Sequence, residues 1–401
     1  MTYFKRMSDA ERTEFFERAV AEVIERTAFE QLLRSGRRLR WKLGLDPTRP
    51  DLHLGHAVVL RKLRQGALWG HEVVLIVGDY TAQIGDPTDK DETRPVLSHD
   101  EVLRNAETYL QQFYRIVPRE NVRIVMQSEW YASLSLKQTI ELASRFTVQQ
   151  MLAREEFRKR QTEGRPIPIK DLLYPLMQAY DSVAIQSDIE FGGTDQKFNN
   201  LLGRELQAQV GQPAQQVFLV HLLPGLDGEK MSKSKRETGI WLTDPPNEMY
   251  GKVMSLRDEL MPMYFDWATA VPWDEAKRTI AALEAGSLKP RDAKRLLART
   301  IVDDLWGAGS GDEAERAFDL VHRQGEAPPD APRVKVRERA LLDVLVSTKL
   351  ASSRGDARRK IQGRGVRVNG EIVTDANYTF SPNGDVVLSV GPRKFVRVEF
   401  A

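Results

Sequence analysis

Short apolar segments rich in β-branched residues alternate with helical patterns over the first 225 residues. Helix-like patterns at Leu54–Leu68, His99–Tyr114 and Asp195–Gln209 separate these segments. The predicted strands are Leu39–Leu45, Val73–Val77, Val122–Gln127, Ile185–Phe191 and Val217–His221. Strands that alternate with helices predict an α/β fold, in which a parallel sheet is covered by helices on both faces.

Helical patterns fill two further regions. Leu136–Phe157 and Asp171–Tyr180 lie between the third and fourth strands and predict an inserted helical segment, about residues 130–184, within a sheet domain of residues 1–244. Apolar residues at helical spacing after Pro245 predict a separate α-helical domain, residues 245–325, with helices at Glu248–Ser255, Trp273–Glu284 and Asp292–Leu305.

A proline-rich segment, residues 326–333, separates this helical region from a small module. Three prolines in eight residues disfavour a helix and predict a linker. Residues 334–401 then predict two short helices, Leu341–Val346 and Ser353–Ile361, and a hairpin at Gly365–Val373. Its Asn369-Gly370 pair suits a tight primed turn. This pattern predicts a small α+β domain.

Charge divides unevenly along the chain. The whole sequence has 59 Lys and Arg and 57 Asp and Glu, for a net charge of +2. Residues 334–401 have 13 basic and 7 acidic side chains, or +6, which leaves −4 for residues 1–333. A basic module on an acidic body favours a phosphate-bearing partner, although a solvated basic surface has the same composition.

Composition also excludes several classes of protein. Because the chain has no cysteine, disulfides, iron–sulfur clusters, thiolate zinc sites and cysteine nucleophiles are excluded. Its longest purely aliphatic run, Val73–Val77, is far shorter than the roughly 18 residues expected of a membrane span. The charged N-terminus lacks the apolar segment of a secretion signal. We therefore expect a cytoplasmic protein with no membrane partner.

A histidine pair marks the start of the first long helix. In Gly44-Leu-Asp-Pro-Thr-Arg-Pro-Asp-Leu-His-Leu-Gly-His56, the side chains of His53 and His56 share one face of the first helical turn. Free backbone N–H groups there favour phosphate, and Gly55 leaves room for a flat base. Alone, such a pair is weak evidence of a phosphate site and is more often a helix cap or a pair of surface histidines. We predict no metal site, because no third ligand follows at metal-site spacing.

A lysine motif follows the last predicted strand. The sequence Gly225-Leu-Asp-Gly-Glu-Lys-Met-Ser-Lys-Ser234 places Lys230 and Lys233 in a glycine-bearing loop, where their ammonium groups can bind polyphosphate oxygens. Taken alone, this loop could be an ordinary solvated basic surface. The occurrence of both motifs in one chain, about 175 positions apart, is more specific than either motif alone.

Together, His53-Leu-Gly-His56 and Lys230-Met-Ser-Lys-Ser234 resemble the two nucleotide-binding motifs of class I aminoacyl-tRNA synthetases. Three further segments resemble the pocket motifs of tyrosyl-tRNA synthetases: Gly85-Asp-Pro87, Tyr174-Pro-Leu-Met-Gln-Ala-Tyr-Asp181 and Gly192-Gly-Thr-Asp-Gln196. The similarity covers nearly the whole chain and is weakest between about Trp267 and Arg333.

This resemblance implies a fold and an order of domains. The sheet domain is expected to be Rossmann-like and catalytic, and the helical domain to lie in the anticodon region. The tail is similar to S4-type RNA-binding domains of bacterial members. Lys42 resembles the longer bacterial subgroup, because the short subgroup has tyrosine there. Residues expected to bind tRNA are the basic side chains of the tail, Arg354, Arg358, Arg359, Lys360, Arg364 and Arg367.

Site roles follow from the same resemblance. Catalytic groups facing the phosphates would be His53, His56, Thr48, Lys230 and Lys233. The ATP site would comprise Gly44, Asp46, Pro47, Gly55, Asp195, Met231, Ser232 and Ser234. Tyrosine would be bound by Asp86, Tyr174, Gln178, Asp181 and Gln196, with Asp181 accepting the substrate hydroxyl. Lys90 and Arg94 would reach phosphate or the tRNA acceptor end, or form a solvated loop.

The implied reaction has two steps. Tyrosine attacks the α-phosphate of ATP, with Mg²⁺ shielding the phosphates, and the tyrosyl group then passes to the 3′ end of tRNA(Tyr). A carboxylate nucleophile requires no covalent enzyme residue, so catalysis would depend on positioning and electrostatics. The family also implies a homodimer, with the interface around Leu136 to Arg160. Alternatives are a tryptophanyl-tRNA synthetase, a non-catalytic RNA-binding relative and a nucleotidyltransferase acting on a small metabolite.

Overall fold

The computed structural model describes residues 7–87, 97–232, 236–320, 331–381, 386–391 and 394–400. Lys90, Arg94, Lys233, Ser234 and the first five residues of the predicted linker lie outside these ranges. The chain divides into two compact units, Met1–Thr243 with Arg257–Leu288, and Asp244–Leu256 with Lys289–Ala401. The limits of these units differ from the domain boundaries expected from the sequence, which remain predictions.

A six-stranded sheet forms the centre of the first unit. Its strands are β1 (Val20–Ile24), β2 (Arg40–Leu45), β3 (Glu72–Val77), β4 (Val122–Met126), β5 (Ile189–Gly193) and β6 (Gln216–Val220). They lie in the order β1-β6-β5-β2-β3-β4, and the pairs from β6 to β4 are parallel. Continuous burial along β6 is typical of a parallel sheet covered on both faces. The predicted α/β fold is confirmed.

The edge strand β1 was not predicted. It pairs antiparallel with β6, joining Val20 to Val220 and Ile24 to Val217. Its residues are all only partly buried, and its partner β6 lies far along the chain, so no local pattern identifies the pairing. The helix Asp9–Glu17 precedes it, begins after the capping residue Ser8, and buries Phe15 against Trp41 and Phe218.

Helices surround this sheet. Leu54–Leu68 and Trp273–Glu284 form as the sequence predicts. The other helices of the first unit are Arg26–Arg34, Thr81–Ile84, His99–Phe113, Ser128–Tyr131, Leu136–Ala143, Val148–Leu152, Glu155–Thr162, Ile169–Ile185, Lys197–Gln209 and Met261–Trp267. Among the described residues, no helix has the length and apolar character needed to cross a membrane.

Three sequence expectations were wrong in detail. The single helix predicted for Leu136–Phe157 is broken, because Thr147 is extended and caps a new helix through its side chain. The strand predicted to start at Ile185 begins at Ile189 instead, because the preceding helix continues to Ile185 and ends at Gln186, with a φ of 52°. The helix predicted from Asp195 begins at Lys197, after a 3-10 turn over Thr194–Gln196.

The second unit contains the helices Pro246–Met254, Pro290–Trp306 and Ser310–Asp319, and a five-stranded sheet. That sheet comprises β7 (Arg333–Val336), β8 (Val366–Val368), β9 (Glu371–Ile372), β10 (Val386–Val390) and β11 (Lys394–Phe400), in the order β7-β11-β10-β8-β9. The helices Leu341–Ser347 and Arg354–Gln362 accompany it.

The predicted hairpin is confirmed between β8 and β9. Asn369 and Gly370 have φ values of 48° and 87°, which a two-residue primed turn requires. Beneath it, Leu345, Ile361 and Leu388 belong to one buried apolar cluster. Residues 334–400 thus contain a hydrophobic core of their own.

Candidate active site

A cleft of about 210 Å³ opens at the carboxyl ends of β2, β5 and β6. In parallel sheets this edge is where ligands bind. The predicted site residues that line the cleft are Gly44, Asp46, Thr48, His53, Gly55, His56, Asp86, Tyr174, Gln178, Asp181, Asp195, Gln196, Lys230, Met231 and Ser232. Pro47 is buried beside this lining. The cleft is thus lined by residues that lie 120 or more positions apart in the sequence.

The histidine pair lies at the start of helix Leu54–Leu68. The backbone N–H of His53 donates to Nδ1 of His56 at 3.2 Å, and the ring centroids are 3.9 Å apart. A neutral His56 ring that accepts this bond carries its proton on Nε2, where it can donate to an anion. A Cβ at Gly55 would lie 2.9 Å from Nδ1 of His53, so a larger residue there would displace the His53 ring.

Tyr174 and Asp46 form the floor on one side of the cleft. The Tyr174 hydroxyl donates to Oδ2 of Asp46 at 2.8 Å, and the Thr81 hydroxyl donates to Oδ1 at 2.7 Å. Burial and the Asp46 and Asp86 carboxylates raise the pKa of Tyr174 well above its ordinary value. Tyr174 therefore stays protonated at neutral pH. Its oxygen retains lone pairs that can accept a hydrogen bond from a ligand.

Asp181 is buried at the end of the cleft among hydrogen-bond donors. Its carboxylate accepts from Gln127 Nε2 at 2.7 Å, Trp130 Nε1 at 3.0 Å and the Tyr131 hydroxyl at 3.2 Å. Burial raises the pKa of Asp181 to about 7, and Lys42, Gln127 and Trp130 oppose the rise. The three donors were not predicted. They follow β4 in the sequence. Because ligands bind at the carboxyl ends of parallel strands, this position was the signal that could have identified them.

Gln178, one turn before Asp181, is fixed at both ends of its amide. Its Nε2 donates to Glu190 Oε1 at 3.1 Å, and its Oε1 accepts from Asn199 Nδ2 at 3.0 Å. Glu190 in turn pairs with Lys42, with 2.9 Å between Oε1 and Nζ. The amide oxygen of Gln178 therefore faces away from the carboxylate and has one lone pair left for a ligand.

Asp86 is held by a residue that the sequence did not suggest. Nη2 of the buried Arg154 lies 3.2 Å from Asp86 Oδ1, and Gln196 Nε2 donates to Oδ2 at 2.9 Å. Arg154 comes from the inserted helical segment, 68 positions along the chain, and no local pattern signals this contact. The Asp86 charge is thus partly compensated before any ligand binds.

The described part of the lysine motif reaches the cleft through Lys230, Met231 and Ser232. Nζ of Lys230 lies 2.6 Å from Oδ2 of Asp195, which is in the turn after β5. The backbone N–H of Gly225 donates to the Glu229 carbonyl at 2.7 Å, closing a tight loop. Within that loop Gly228 has a φ of 83°, and a Cβ there would meet the Arg257 guanidinium. Lys233 and Ser234 lie outside the described residues.

The basic side chains of the tail lie in the second unit. Arg354, Arg358, Arg359, Arg364 and Arg367 are exposed, and Lys360 is partly buried. Some of them have internal partners: Arg354 binds Asp343 at 2.9 Å, and Arg367 donates to the Gly370 carbonyl at 2.9 Å. Arg358 and Arg359 lie next to each other on helix Arg354–Gln362. They present two guanidinium groups to solvent.

In the described part of the chain, no group of three or more His, Asp or Glu side chains has an arrangement that could hold a metal ion.

Two family models match this chain. The model described as tRNA synthetases class I (W and Y) covers residues 34–323, and the S4 domain model covers residues 341–387. A tyrosine–tRNA ligase of Dehalococcoides mccartyi is 46% identical over 392 residues, which are 97% of this chain and 98% of that relative. The chain belongs to the class I tyrosyl-tRNA synthetases. A tyrosine–tRNA ligase of Thermotoga maritima is 44% identical over 395 residues, or 98% of each chain.

Solved structures of this family share the fold. The tyrosyl-tRNA synthetase of Archaeoglobus fulgidus, complexed with L-tyrosine, aligns with a TM-score of 0.61 at 21% identity, covering 76% of this chain and 99% of its own. A truncated mitochondrial tyrosyl-tRNA synthetase of Aspergillus nidulans aligns with a TM-score of 0.63 at 21% identity, covering 80% and 95%. At these identities the likeness concerns the fold alone. The similarity to the full-length relatives carries the family assignment.

Proposed function

We propose that this protein is a tyrosine–tRNA ligase. It activates L-tyrosine with ATP to give tyrosyl-adenylate and pyrophosphate, and then transfers the tyrosyl group to the 3′ end of tRNA(Tyr). The proposal rests on Asp181, whose buried carboxylate lies at the end of the cleft. A phenolic hydroxyl that reaches this point finds an acceptor, whereas a phenyl ring would leave the carboxylate without that bond.

The tyrosine site follows from the contacts around Asp181. The substrate ring enters the cleft with its hydroxyl toward Asp181, and its ammonium group donates to the Tyr174 oxygen and the Gln178 amide oxygen. Asp86 adds negative charge next to the ammonium. Gln196 acts mainly by holding Asp86, because its Nε2 already donates to that carboxylate at 2.9 Å.

ATP occupies the other half of the cleft. His53, His56 and Thr48 face its phosphates, and the N–H groups at the start of helix Leu54–Leu68 favour the negative charge. Lys230 and Lys233 bind the pyrophosphate that leaves. The remaining ATP contacts come from Gly44, Asp46, Pro47, Gly55, Asp195, Met231, Ser232 and Ser234. Mg²⁺ enters with ATP and shields the same phosphate oxygens.

Catalysis then requires no covalent intermediate with the enzyme. The tyrosine carboxylate is already a nucleophile, so the protein holds it in line with the α-phosphate. The negative charge that grows on the phosphates in the transition state is stabilised by the histidine ring N–H groups and the lysine ammonium groups.

The protein has a macromolecular partner, an oligomeric state and a cellular location under this proposal. The S4 module binds tRNA through Arg354, Arg358, Arg359, Lys360, Arg364 and Arg367, which attract phosphates. Two copies of the chain form a homodimer through the inserted helical segment, where Leu136, Ile140 and Val148 are exposed apolar side chains. The protein works in the cytoplasm, where its tRNA and ATP are found.

Tyrosine-dependent exchange of labelled pyrophosphate into ATP tests the function directly. We expect exchange with tyrosine and far less with phenylalanine or tryptophan. Exchange that depends on tryptophan would instead support a tryptophanyl-tRNA synthetase, and a lack of exchange with any of the three would contradict the enzymatic proposal.

A further inference from the structure

Lys42 is a fully buried cation behind the wall of the cleft. It lies on β2, two residues before Gly44, and outside the residues that line the cleft. Its ammonium group contacts Glu190 Oε1 at 2.9 Å, the Gln178 carbonyl at 2.8 Å and the Ser182 hydroxyl at 2.6 Å. An ammonium group has three N–H donors, so each has a partner here. The side chain is held in one position.

Glu190 completes this network on the opposite side. Its Oε1 accepts from Gln178 Nε2 at 3.1 Å, and its Oε2 accepts from the Ser182 hydroxyl at 3.2 Å and from Gln215 Nε2. Because Glu190 accepts only, it forces the nitrogen end of the Gln178 amide toward itself. The oxygen end is then available to a substrate ammonium.

The charges of Lys42 and Glu190 act on Asp181. It follows Gln178 by three residues and directly precedes Ser182, and both of these neighbours bind Lys42. Burial raises the pKa of Asp181 to about 7, Lys42 lowers it and Glu190 raises it. The other groups facing the carboxylate are Gln127, Trp130 and the Tyr131 hydroxyl. Burial and Asp181 keep the pKa of Tyr131 well above neutral, so Tyr131 is a neutral donor.

We propose that Lys42 is a positioning residue for tyrosine recognition: it favours the anionic form of Asp181 and, through Glu190, fixes the orientation of the Gln178 amide. Lys42 acts on both ends of the substrate without touching it. The inference rests on the proposed function, since it assigns a role to residues behind the proposed tyrosine site.

A second buried ion pair provides a matched control. Lys252 lies 2.6 Å from Asp244, and both are buried within the second unit, whereas Lys42 and Glu190 belong to the first. Replacing Lys252 by methionine removes a buried ammonium group of the same kind. It leaves the charges around Asp181 unchanged.

The experiment measures kcat/KM for tyrosine in pyrophosphate exchange from about pH 5 to pH 9. The fall of kcat/KM on the acidic side of this profile, its acidic limb, reports the protonation of groups in the free enzyme. In Lys42→Met we expect this limb to move to higher pH by roughly one unit. In Glu190→Gln it should move to lower pH, because the remaining Lys42 charge stabilises the Asp181 anion. In Lys252→Met it should stay in place. KM for ATP should change little in Lys42→Met and Glu190→Gln.

The opposite directions separate an electrostatic role from damage to the fold. An unmoved limb in an active Lys42→Met enzyme, or a shift of both variants in one direction, would overturn the inference. If Lys42→Met fails to fold by circular dichroism, Lys42→Met with Glu190→Gln removes both charges. The limb should then move to higher pH by less than the roughly one unit expected from loss of the Lys42 charge alone, and an unmoved limb overturns the inference. A wild-type enzyme without tyrosine-dependent exchange refutes the proposed function instead.

Discussion

Nζ of Lys230 lies 2.6 Å from Oδ2 of Asp195, so an ion pair joins the lysine motif to the turn after β5. Both residues belong to the proposed ATP site, where Lys230 binds the pyrophosphate. The Lys230 side chain is 40% exposed and that of Asp195 is 23% exposed. Ion pairs this accessible contribute on the order of 0–1 kcal/mol. A nucleotide phosphate can therefore replace Asp195 as the partner of Lys230 at little cost.

Lys230→Ala should slow tyrosyl-adenylate formation by about 100-fold, because its contacts strengthen as charge moves to the leaving pyrophosphate. Tyrosine binding, measured by equilibrium dialysis, should remain near the wild-type value. Lys197→Ala is a suitable control, since Lys197 forms an exposed ion pair with Glu22 at 2.7 Å. Pyrophosphate exchange at the wild-type rate in Lys230→Ala would remove the lysine from the mechanism.

Asp181→Asn should lower kcat/KM for tyrosine by about 10- to 100-fold, the effect of losing a charge-assisted hydrogen bond worth roughly 1.5–3 kcal/mol. The value for phenylalanine should change much less, because that substrate makes no such bond. Asp171→Asn on the same helix removes a carboxylate that pairs with Arg160 at 2.7 Å, and serves as the control. Equal losses for both amino acids would argue against a contact with the hydroxyl.

Arg358→Ala combined with Arg359→Ala should weaken tRNA binding. The slope of the logarithm of the binding constant against the logarithm of the salt concentration should become shallower, by the equivalent of up to about two phosphate contacts. Pyrophosphate exchange should be unaffected, because both side chains lie in the second unit. Arg26→Ala with Arg34→Ala removes the same charge from the first unit, where both arginines pair with Glu30. An unchanged salt slope in filter-binding titrations would contradict RNA contact at Arg358 and Arg359.

Ile140→Arg should shift the protein from dimer to monomer in analytical ultracentrifugation, because a buried guanidinium group without a partner is costly at an apolar interface. Ile140 is 59% exposed in the single chain. Leu68→Arg is a matched control, since Leu68 is also 59% exposed but is the last residue of helix Leu54–Leu68, outside the inserted helical segment. A dimer that persists in Ile140→Arg places the interface elsewhere.

The stability of the wild-type protein should rise with pH through Lys62. Burial, with a smaller effect of Arg18, lowers the pKa of Lys62 from 10.5 to about 7. Between these values the unfolded chain binds the extra proton, so the free energy of unfolding increases by roughly 1 kcal/mol per pH unit. Urea unfolding of Lys62→Met should lack this rise. In Lys197→Met, which alters an exposed lysine, the slope should match the wild type.

Local patterns predicted some elements to the residue. The limits of helix Leu54–Leu68 follow from its apolar spacing and its first turn, both of which lie within the segment. Chain-distant contacts were harder to foresee. β1 pairs with β6, which lies far along the chain. Arg154 contacts Asp86 from the inserted helical segment. Asp181 was identified from its motif, whereas Gln127, Trp130 and Tyr131 required the position of β4.

The pairing of β1 with β6 sets a condition on folding during synthesis. Val20 joins Val220, so the first strand leaves the ribosome two hundred residues before its partner. At roughly 5–20 residues per second this interval is on the order of 10–40 seconds. Through that time the edge residues of β1 and the aromatic side chains Phe15 and Phe16 lack their final neighbour Phe218. Until β6 emerges, the nascent chain therefore exposes apolar side chains, Phe15 and Phe16 among them, that the folded protein buries.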